Sequence, residues 1–278
     1  MQFTEQHPYD ALVPDTVIDA IETQGLISDL RIYPLNSYEN RVYQFGVEDG
    51  QPIIAKFYRP GRWSREQILE EHQFSKELQD LEISVVAPWE NKDGDTLFEY
   101  QGFQFALYPR QGGHAPELGD LDQLLSIGRV LGRIHQMGKQ KPFDHRPTLD
   151  IQSYGINSRE FLLSQGFIPD NLIPAYESLS QDLIDRVKIR FAEADATWIR
   201  SHGDCHVSNI LWRYDTPHFL DFDDARMAPA VQDLWMLLSG DRTQQSLQLS
   251  EILEGYREFS DFHPRELHLI ESLRTLRL

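Results

Sequence analysis

The spacing of the apolar residues changes once along this chain, and that change constrains its fold more than any other feature. Up to about residue 108 alternation dominates, as in strands; from residue 114 onward the three-to-four spacing of helices dominates. In the first stretch Arg41-Val42-Tyr43-Gln44-Phe45 alternates, Glu48-Asp49-Gly50 supplies a turn, and Ile53 to Tyr58 reads as the returning strand of a hairpin. Val85 to Pro88, Thr96 to Tyr100 and Phe103 to Tyr108 read as three further strands. Two helices belong to the same stretch. Residues 14–25 keep Val17, Ile18 and Ile21 at helical spacing up to a stop at Gly25. A longer helix opens at Ser64-Arg65-Glu66-Gln67, where the Ser64 hydroxyl and the Gln67 amide can satisfy each other's backbone donors, and it should run to about Leu81.

Gln111-Gly112-Gly113-His114-Ala115-Pro116 punctuates the chain. Beyond it Leu121, Leu124, Leu125, Gly128, Leu131, Ile134 and His135 share one helical face, and residues 173–194 read as a second amphipathic helix. A strand-and-loop insert follows at 198–224, and helical spacing returns from Val231. The expected class is α+β, in two lobes: an antiparallel β lobe with one long helix over 1–108, a hinge at 109–113, and a larger helical lobe over 114–278. Leu267, Ile270, Leu273 and Leu276 keep helical spacing almost to Leu278 with no capping residue. The expectation is that the helical lobe is truncated there, or that this stripe packs on something further.

The chemistry is concentrated in the insert. His202-Gly203-Asp204-Cys205-His206-Val207-Ser208-Asn209 is followed by Phe219-Leu220-Asp221-Phe222-Asp223-Asp224. Phosphoryl transfer needs an oriented hydroxyl, metal ions across the phosphates and stabilisation of charge, with little covalent help. A carboxylate beside the hydroxyl can orient it and accept its proton, and Asp204 fits that role. Mg²⁺ prefers hard oxygen ligands, and the Asn209 amide and the Asp221 carboxylate, on adjoining loops, supply two. Order and spacing parallel the kinase loop H-R-D-x-x-x-x-N and the metal-binding D-F-G, with Gly203 in place of the Arg and Asp223 in place of the last Gly. These residues could also merely close turns. A Zn²⁺ site from His202, Asp204, Cys205 and His206 with Asp221 or Asp223 is the other chemical reading, although adjacent side chains such as Cys205 and His206 rarely reach one ion together.

The first lobe should hold the nucleotide. Lys56 ends the apolar run Ile53-Ile54-Ala55 and can reach phosphates if a helix carboxylate holds it. Of Glu70 and Glu71, Glu71 lies on the inward face with Ile68, Phe74 and Leu78. A Gly-rich loop is missing. Asn36-Ser37-Tyr38-Glu39-Asn40 stands in its place, able to offer backbone N–H groups and a hydroxyl or to be an ordinary loop. Phe105-Ala106-Leu107-Tyr108-Pro109 leads into the hinge, and its exposed backbone edge at Tyr108 could pair with adenine. His135 reads as a core histidine, and Asp233, among apolar neighbours, as an acceptor for the backbone of the Asp204 loop.

Charge and composition narrow the partners. With 26 Lys and Arg against 44 Asp and Glu, the net charge is −18, which disfavours nucleic acid and anionic lipid and attracts cationic substrates, or simply aids solubility. The single cysteine, Cys205, suits a reducing compartment. The first seven residues lack a basic-then-apolar leader, and no run of 18 apolar residues exists. A cytoplasmic protein without a membrane span is expected.

His202-Gly203-Asp204-x-His206-x-x-Asn209 with Leu220-Asp221-Phe222-Asp223-Asp224 resembles the aminoglycoside phosphotransferase and choline kinase superfamily of protein-kinase-like folds. Pro34 to Phe45, Lys56-Phe57-Tyr58-Arg59-Pro60, Ile68 to Phe74 and Pro229 to Leu238 are more narrowly similar to the bacterial stress response kinase A family. That resemblance covers about residues 12 to 278. It implies an ATP- and Mg²⁺-dependent serine/threonine protein kinase of the stress response, monomeric and cytoplasmic. Asp204 would be its proton acceptor, Asn209 and Asp221 its Mg²⁺ ligands, and Ser37 part of its nucleotide loop. The family continues for some tens of residues past position 278. The alternatives are a kinase of small amino alcohols or aminoglycoside-like molecules, and a non-catalytic nucleotide-binding regulator.

Overall fold

The computed structural model describes residues 8–277, so the start read for a leader and the terminal Leu278 lie outside the described residues. The chain forms two compact units. One runs to His114 and takes in His218–Asp223; the other holds Ala115–Pro217 and the residues from Asp224 onward.

The first unit contains α1 (Pro14–Glu22), β1 (Ser28–Leu35), β2 (Arg41–Val47), β3 (Ile53–Phe57), α2 (Arg65–Asp80), β4 (Phe98–Tyr100) and β5 (Phe103–Pro109). The strands make one antiparallel sheet in the order β1-β2-β3-β5-β4. The expected hairpin is present, with Arg41 opposite Phe57 and Phe45 opposite Ile53. The two-residue period decides what each face carries. Phe45, Ala55, Phe57, Phe105 and Leu107 enter a core with Val17, Ala20 and Ile21 of α1, in which the rings of Phe57 and Phe105 stack at 5.1 Å. Lys56 therefore turns the other way, and Tyr58 and Ala106 on that side pack with Ile68 of α2. The capping box at Ser64 and Gln67 forms in both directions and sets the start of α2.

One expectation is corrected here, and one strand is added. Residues 85–88 are not a strand of the sheet. Val85 makes only an isolated parallel bridge to Phe219, supported by bonds from Val86 N and to Ser84 O, and this bridge anchors the 218–223 segment in the first unit. Strand β1 goes unread in the sequence because it carries Pro34 and is largely exposed. As an edge strand it can accommodate a proline, since one side of its backbone has no ladder to maintain.

The second unit contains α3 (Leu121–Gly138), α4 (Asn157–Ser164), α5 (Ile173–Ala194), β6 (Trp198–Ser201), β7 (Ile210–Arg213), the start of β8 (Thr216–Phe219), β9 (Arg226–Pro229), α6 (Val231–Trp235), α7 (Arg242–Arg257) and α8 (Ile270–Arg277). Helices α3 and α7 approach backbone to backbone. A Cβ at Gly128 or Gly132 would meet the carbonyls of Ile252 and Tyr256, and one at Gly255 would meet that of Leu125. Strands β6 and β9 pair antiparallel, Trp198 with Pro229 through Ser201 with Arg226, and so hold both ends of the reactive insert. Helix α5 has the expected bounds but buries only Ile184, Val187 and Ala194, leaving Leu179, Leu183 and Ile189 exposed. The terminal stripe is also revised. Pro264–Leu269 is a 3-10 turn, and its tighter period rotates Leu269 inward where α-helical spacing would have placed Leu267. Leu269 and Leu273 are buried, and Leu276 lies against Gly155 of the same unit. No described helix is long and apolar enough to cross a membrane.

Candidate active site

In the first unit, the site is built around one buried cation. Lys56 Nζ lies 2.7 Å from Asp221 Oδ1 and 3.2 Å from Asp223 Oδ1. The lysine side chain is 6% exposed, whereas that of Asp221 is 50% exposed. Burial opposes the charge on Lys56, but Asp221 and Asp223 outweigh it and push its pKa well above the ordinary value. Asp221 is a non-glycine residue at φ 57°, in the left-handed region. Such a conformation costs roughly 1–3 kcal/mol and persists only where the surroundings enforce it. The enforcement is visible: on one side Phe219 bonds to Ser84 and Val86, and on the other the ring of Phe222 packs edge-on against Phe74 of α2 at 5.9 Å.

Glu71 and Tyr108 stand in the same buried cluster. Tyr108 Oη is 3.1 Å from Tyr58 Oη, which is 2.7 Å from His72 Nε2, and His72 Nδ1 is 2.8 Å from Thr96 Oγ1. A Glu71 carboxylate oxygen lies 3.6 Å from His72 Nε2, and its charge is also felt at Lys56. Burial, then Glu71, raises the Tyr108 phenol far above its ordinary pKa. Ser37 and Tyr38 are exposed at the tip of the loop between β1 and β2. The root of that loop is fixed: Arg62 pairs with Glu39 at 2.6 Å, and the buried Asn40 donates to Asp223 Oδ2 at 3.0 Å.

In the second unit, Asp204 sits on a loop held from beneath. The wholly buried Asp233 accepts from His202 N at 2.7 Å and Gly203 N at 2.8 Å, and His135 Nε2 lies 2.9 Å from it. Burial opposes its charge, but the His135 bond, the charges of His135 and His202 and the Gly203 N–H prevail and hold the carboxyl below the ordinary range. Gly203 has φ 83°, and a Cβ there would meet the Asp224 carbonyl, which is why no arginine can stand before Asp204. Asn209 Nδ2 donates to Asp204 O at 2.9 Å and, more weakly, to Asp204 Oδ2 at 3.5 Å. With its nitrogen turned to Asp204, the Asn209 amide oxygen takes no part in these two bonds. His206 Nε2 is 3.3 Å from Asp204 Oδ2, and Arg277 of α8 pairs with Asp204 Oδ1.

The structure thus groups Lys56, Glu71, Tyr108 and Asp221 in one unit and Asp204 with Asn209 in the other. Sequence reasoning named no site role for Asn40, His72 or Arg277. Asn40 stands at the end of the loop 36–40, and Asp223 enters only as the departure from D-F-G and as a possible zinc ligand. No periodicity or motif marks Arg277. The zinc reading finds no support: among the described residues no group of three or more His, Cys, Asp or Glu could hold a metal ion, and Cys205 is buried with its thiol pKa pushed up by that burial.

The profile of the phosphotransferase enzyme family matches residues 31–270. A stress response kinase A of Escherichia coli is 48% identical over 270 residues, which is 97% of this chain and 81% of the relative. A serine/threonine protein kinase RdoA of Salmonella typhimurium is 46% identical with the same coverage. Among solved structures, an amicoumacin kinase in complex with AMP-PNP, Ca²⁺ and Ami superposes with a TM-score of 0.77 at 20% identity, covering 95% of this chain and 83% of its own. A microcompartment-associated aminopropanol kinase gives 0.68 at 17% identity, with coverage of 94% and 86%.

Proposed function

The chain belongs to the phosphotransferase enzyme family and, within it, to the stress response kinases A, and from that premise we propose that it transfers the γ-phosphate of ATP to a serine or threonine hydroxyl of a protein, with Mg²⁺. The observation that carries the reading is the pairing of Asp204 with Asn209 on a loop whose backbone is fixed by Asp233.

Asp204 orients the acceptor hydroxyl and takes its proton, the hydroxyl displacing the half-exposed Arg277 guanidinium from Oδ1. Asn209 in one unit offers its amide oxygen and Asp221 in the other its half-exposed carboxylate, each a hard oxygen of the kind Mg²⁺ prefers. Mg²⁺, when bound, neutralises charge on the phosphates. Lys56 contributes a permanent positive charge toward the α- and β-phosphates, with Glu71 behind it, and Ser37 offers its hydroxyl from the exposed loop tip. Tyr108 itself pairs with Ile54 of β3, so the adenine edge is received where the chain leaves β5 for the hinge. In this reading residues 1–108 clamp the nucleotide, 109–113 are the hinge, and 114–278 carry the catalytic loop. The role in the stress response follows its relatives' names, the cytoplasm suits its single cysteine, and the reading takes the protein as a monomer.

The test is transfer of labelled γ-phosphate from ATP to a basic acceptor protein, by wild type and Asp204→Ala. The variant should bind nucleotide while transfer falls by roughly 10²–10⁴-fold. Normal turnover in the variant would remove Asp204 from the mechanism. Transfer by wild type only to small cationic alcohols would move the acceptor from proteins to small molecules, a class that suits the net charge of −18.

A further inference from the structure

Asn40 is only 4% exposed, although it lies two residues past the exposed Tyr38 at the loop tip. A buried amide must find partners at both ends. Its Oδ1 accepts from Arg59 N at 3.1 Å, just past the end of β3, and its Nδ2 donates to Asp223 Oδ2 at 3.0 Å. The orientation follows from chemistry: a backbone N–H only donates and a carboxylate only accepts, so the amide cannot be flipped. The other oxygen of Asp223 faces Lys56 Nζ at 3.2 Å, and Lys56 reaches Asp221 at 2.7 Å. A single line of contacts therefore runs from the loop root through Asn40, Asp223 and Lys56 to Asp221. The neighbouring Glu39 is pinned independently, by Arg62 on its carboxylate and by Tyr9 Oη on its carbonyl at 3.2 Å.

We propose that Asn40 is a positioning residue that joins the loop bearing Ser37 to the acidic pair, so that one amide sets both the phosphate-facing loop and the carboxylates around Lys56. This rests on reading the first unit as the nucleotide-binding one. A bond to a carboxylate is stronger than one between neutral groups, and here it closes across 183 positions of sequence. Asn40→Asp dissects the two bonds. It keeps an acceptor for Arg59 N–H but sets a second carboxylate against Asp223. In Asn40→Asp with Asp223→Asn, Asn at 223 can donate back to Asp at 40, which restores the bond in reverse with the original number of charges.

The experiment is fluorescence titration of wild type, Asn40→Asp, Asp223→Asn and the double variant with mant-ATP and Mg²⁺, beside steady-state kinetics. Asn40→Asp should raise the Kd by about tenfold or more, and the KM for ATP should rise by more than kcat falls. The double variant should recover most of that loss. A purely architectural Asn40 would instead lower the active fraction and kcat while folded molecules keep the wild-type Kd. That result, or a Kd within about twofold of wild type, overturns the proposal. Should Asn40→Asp fail to fold, Asn40→Ala, which removes both bonds, takes its place with the same expected rise in Kd. Wild type that binds no mant-ATP would defeat the nucleotide reading itself, whereas wild-type binding that Asn40→Asp leaves unchanged would defeat only the role of Asn40.

Discussion

The two units neutralise their inner carboxylates in opposite ways. In the first, Asp221 and Asp223 share one ammonium, that of Lys56, on a flexible four-carbon stem. In the second, Asp233 is answered by the backbone N–H groups of His202 and Gly203 and by the buried His135. The lysine can be replaced by another cation without disturbing the main chain. The backbone donors cannot leave Asp233 unless the loop bearing Asp204 unfolds. One arrangement places its positive charge on a side chain, and the other ties its donors to the main chain of a single loop.

The largest effect expected from this contrast is at Asp233. Asp233→Ala removes the acceptor for two buried N–H groups and the partner of His135. Stability should fall by about 3–5 kcal/mol, measured by urea unfolding, with no recovery on adding divalent cations. A loss below about 1 kcal/mol would show that the Asp204 loop is held by something other than this carboxylate. A smaller effect is expected at Lys56. Lys56→Met leaves two carboxylates facing each other, but Asp221 is half-exposed and water screens it. The expected loss is about 1–2 kcal/mol, and millimolar Mg²⁺ should restore most of it, read as a larger rise in Tm than in wild type. Equal Mg²⁺ effects on both proteins would erase the distinction between an exchangeable cation and a fixed one.

How far this contrast was legible in the sequence follows from the range of the interactions. Local signals were readable: the Ser64–Gln67 capping box needs only three residues, and the β2–β3 hairpin only a turn and two alternating runs. The loop bearing Asp204 and Asn209 carried its own spacing, and Asp233 betrayed itself as a carboxylate among apolar neighbours that needs donors. What escaped is set by partners far apart in the chain. Asn40 meets Asp223 across 183 positions and Arg277 meets Asp204 across 73, and no periodicity encodes such pairs. Strand β1 escaped because an edge strand tolerates Pro34 and exposed side chains, which blur the alternation that reveals inner strands. The 3-10 turn at Pro264–Leu269 escaped because its apolar spacing differs from that of an α-helix by less than one residue per turn.

The smallest expected effect separates the units by pH. The Asp233 carboxyl is held below the ordinary range, so as the pH falls below about 4 the unfolded chain takes up a proton that the folded chain still refuses. Its contribution is therefore complete above that pH and is lost as the pH falls through the folded-state value. Lys56 has the opposite sign. Its pKa is raised, so its contribution is complete below about pH 10.5 and is lost only as the pH climbs through the folded-state value. Acid should thus weigh on the second unit through Asp233, and alkali on the first through Lys56. Asp233→Asn should flatten the acid limb of stability against pH by up to one proton, about 1.4 kcal/mol per pH unit, and leave the alkaline limb as in wild type. Lys56→Met should do the reverse. An acid limb as steep in Asp233→Asn as in wild type would place the acid-sensitive group elsewhere, and the loop of Asp204 would owe its hold to the His135 ring and its packing rather than to a buried negative charge.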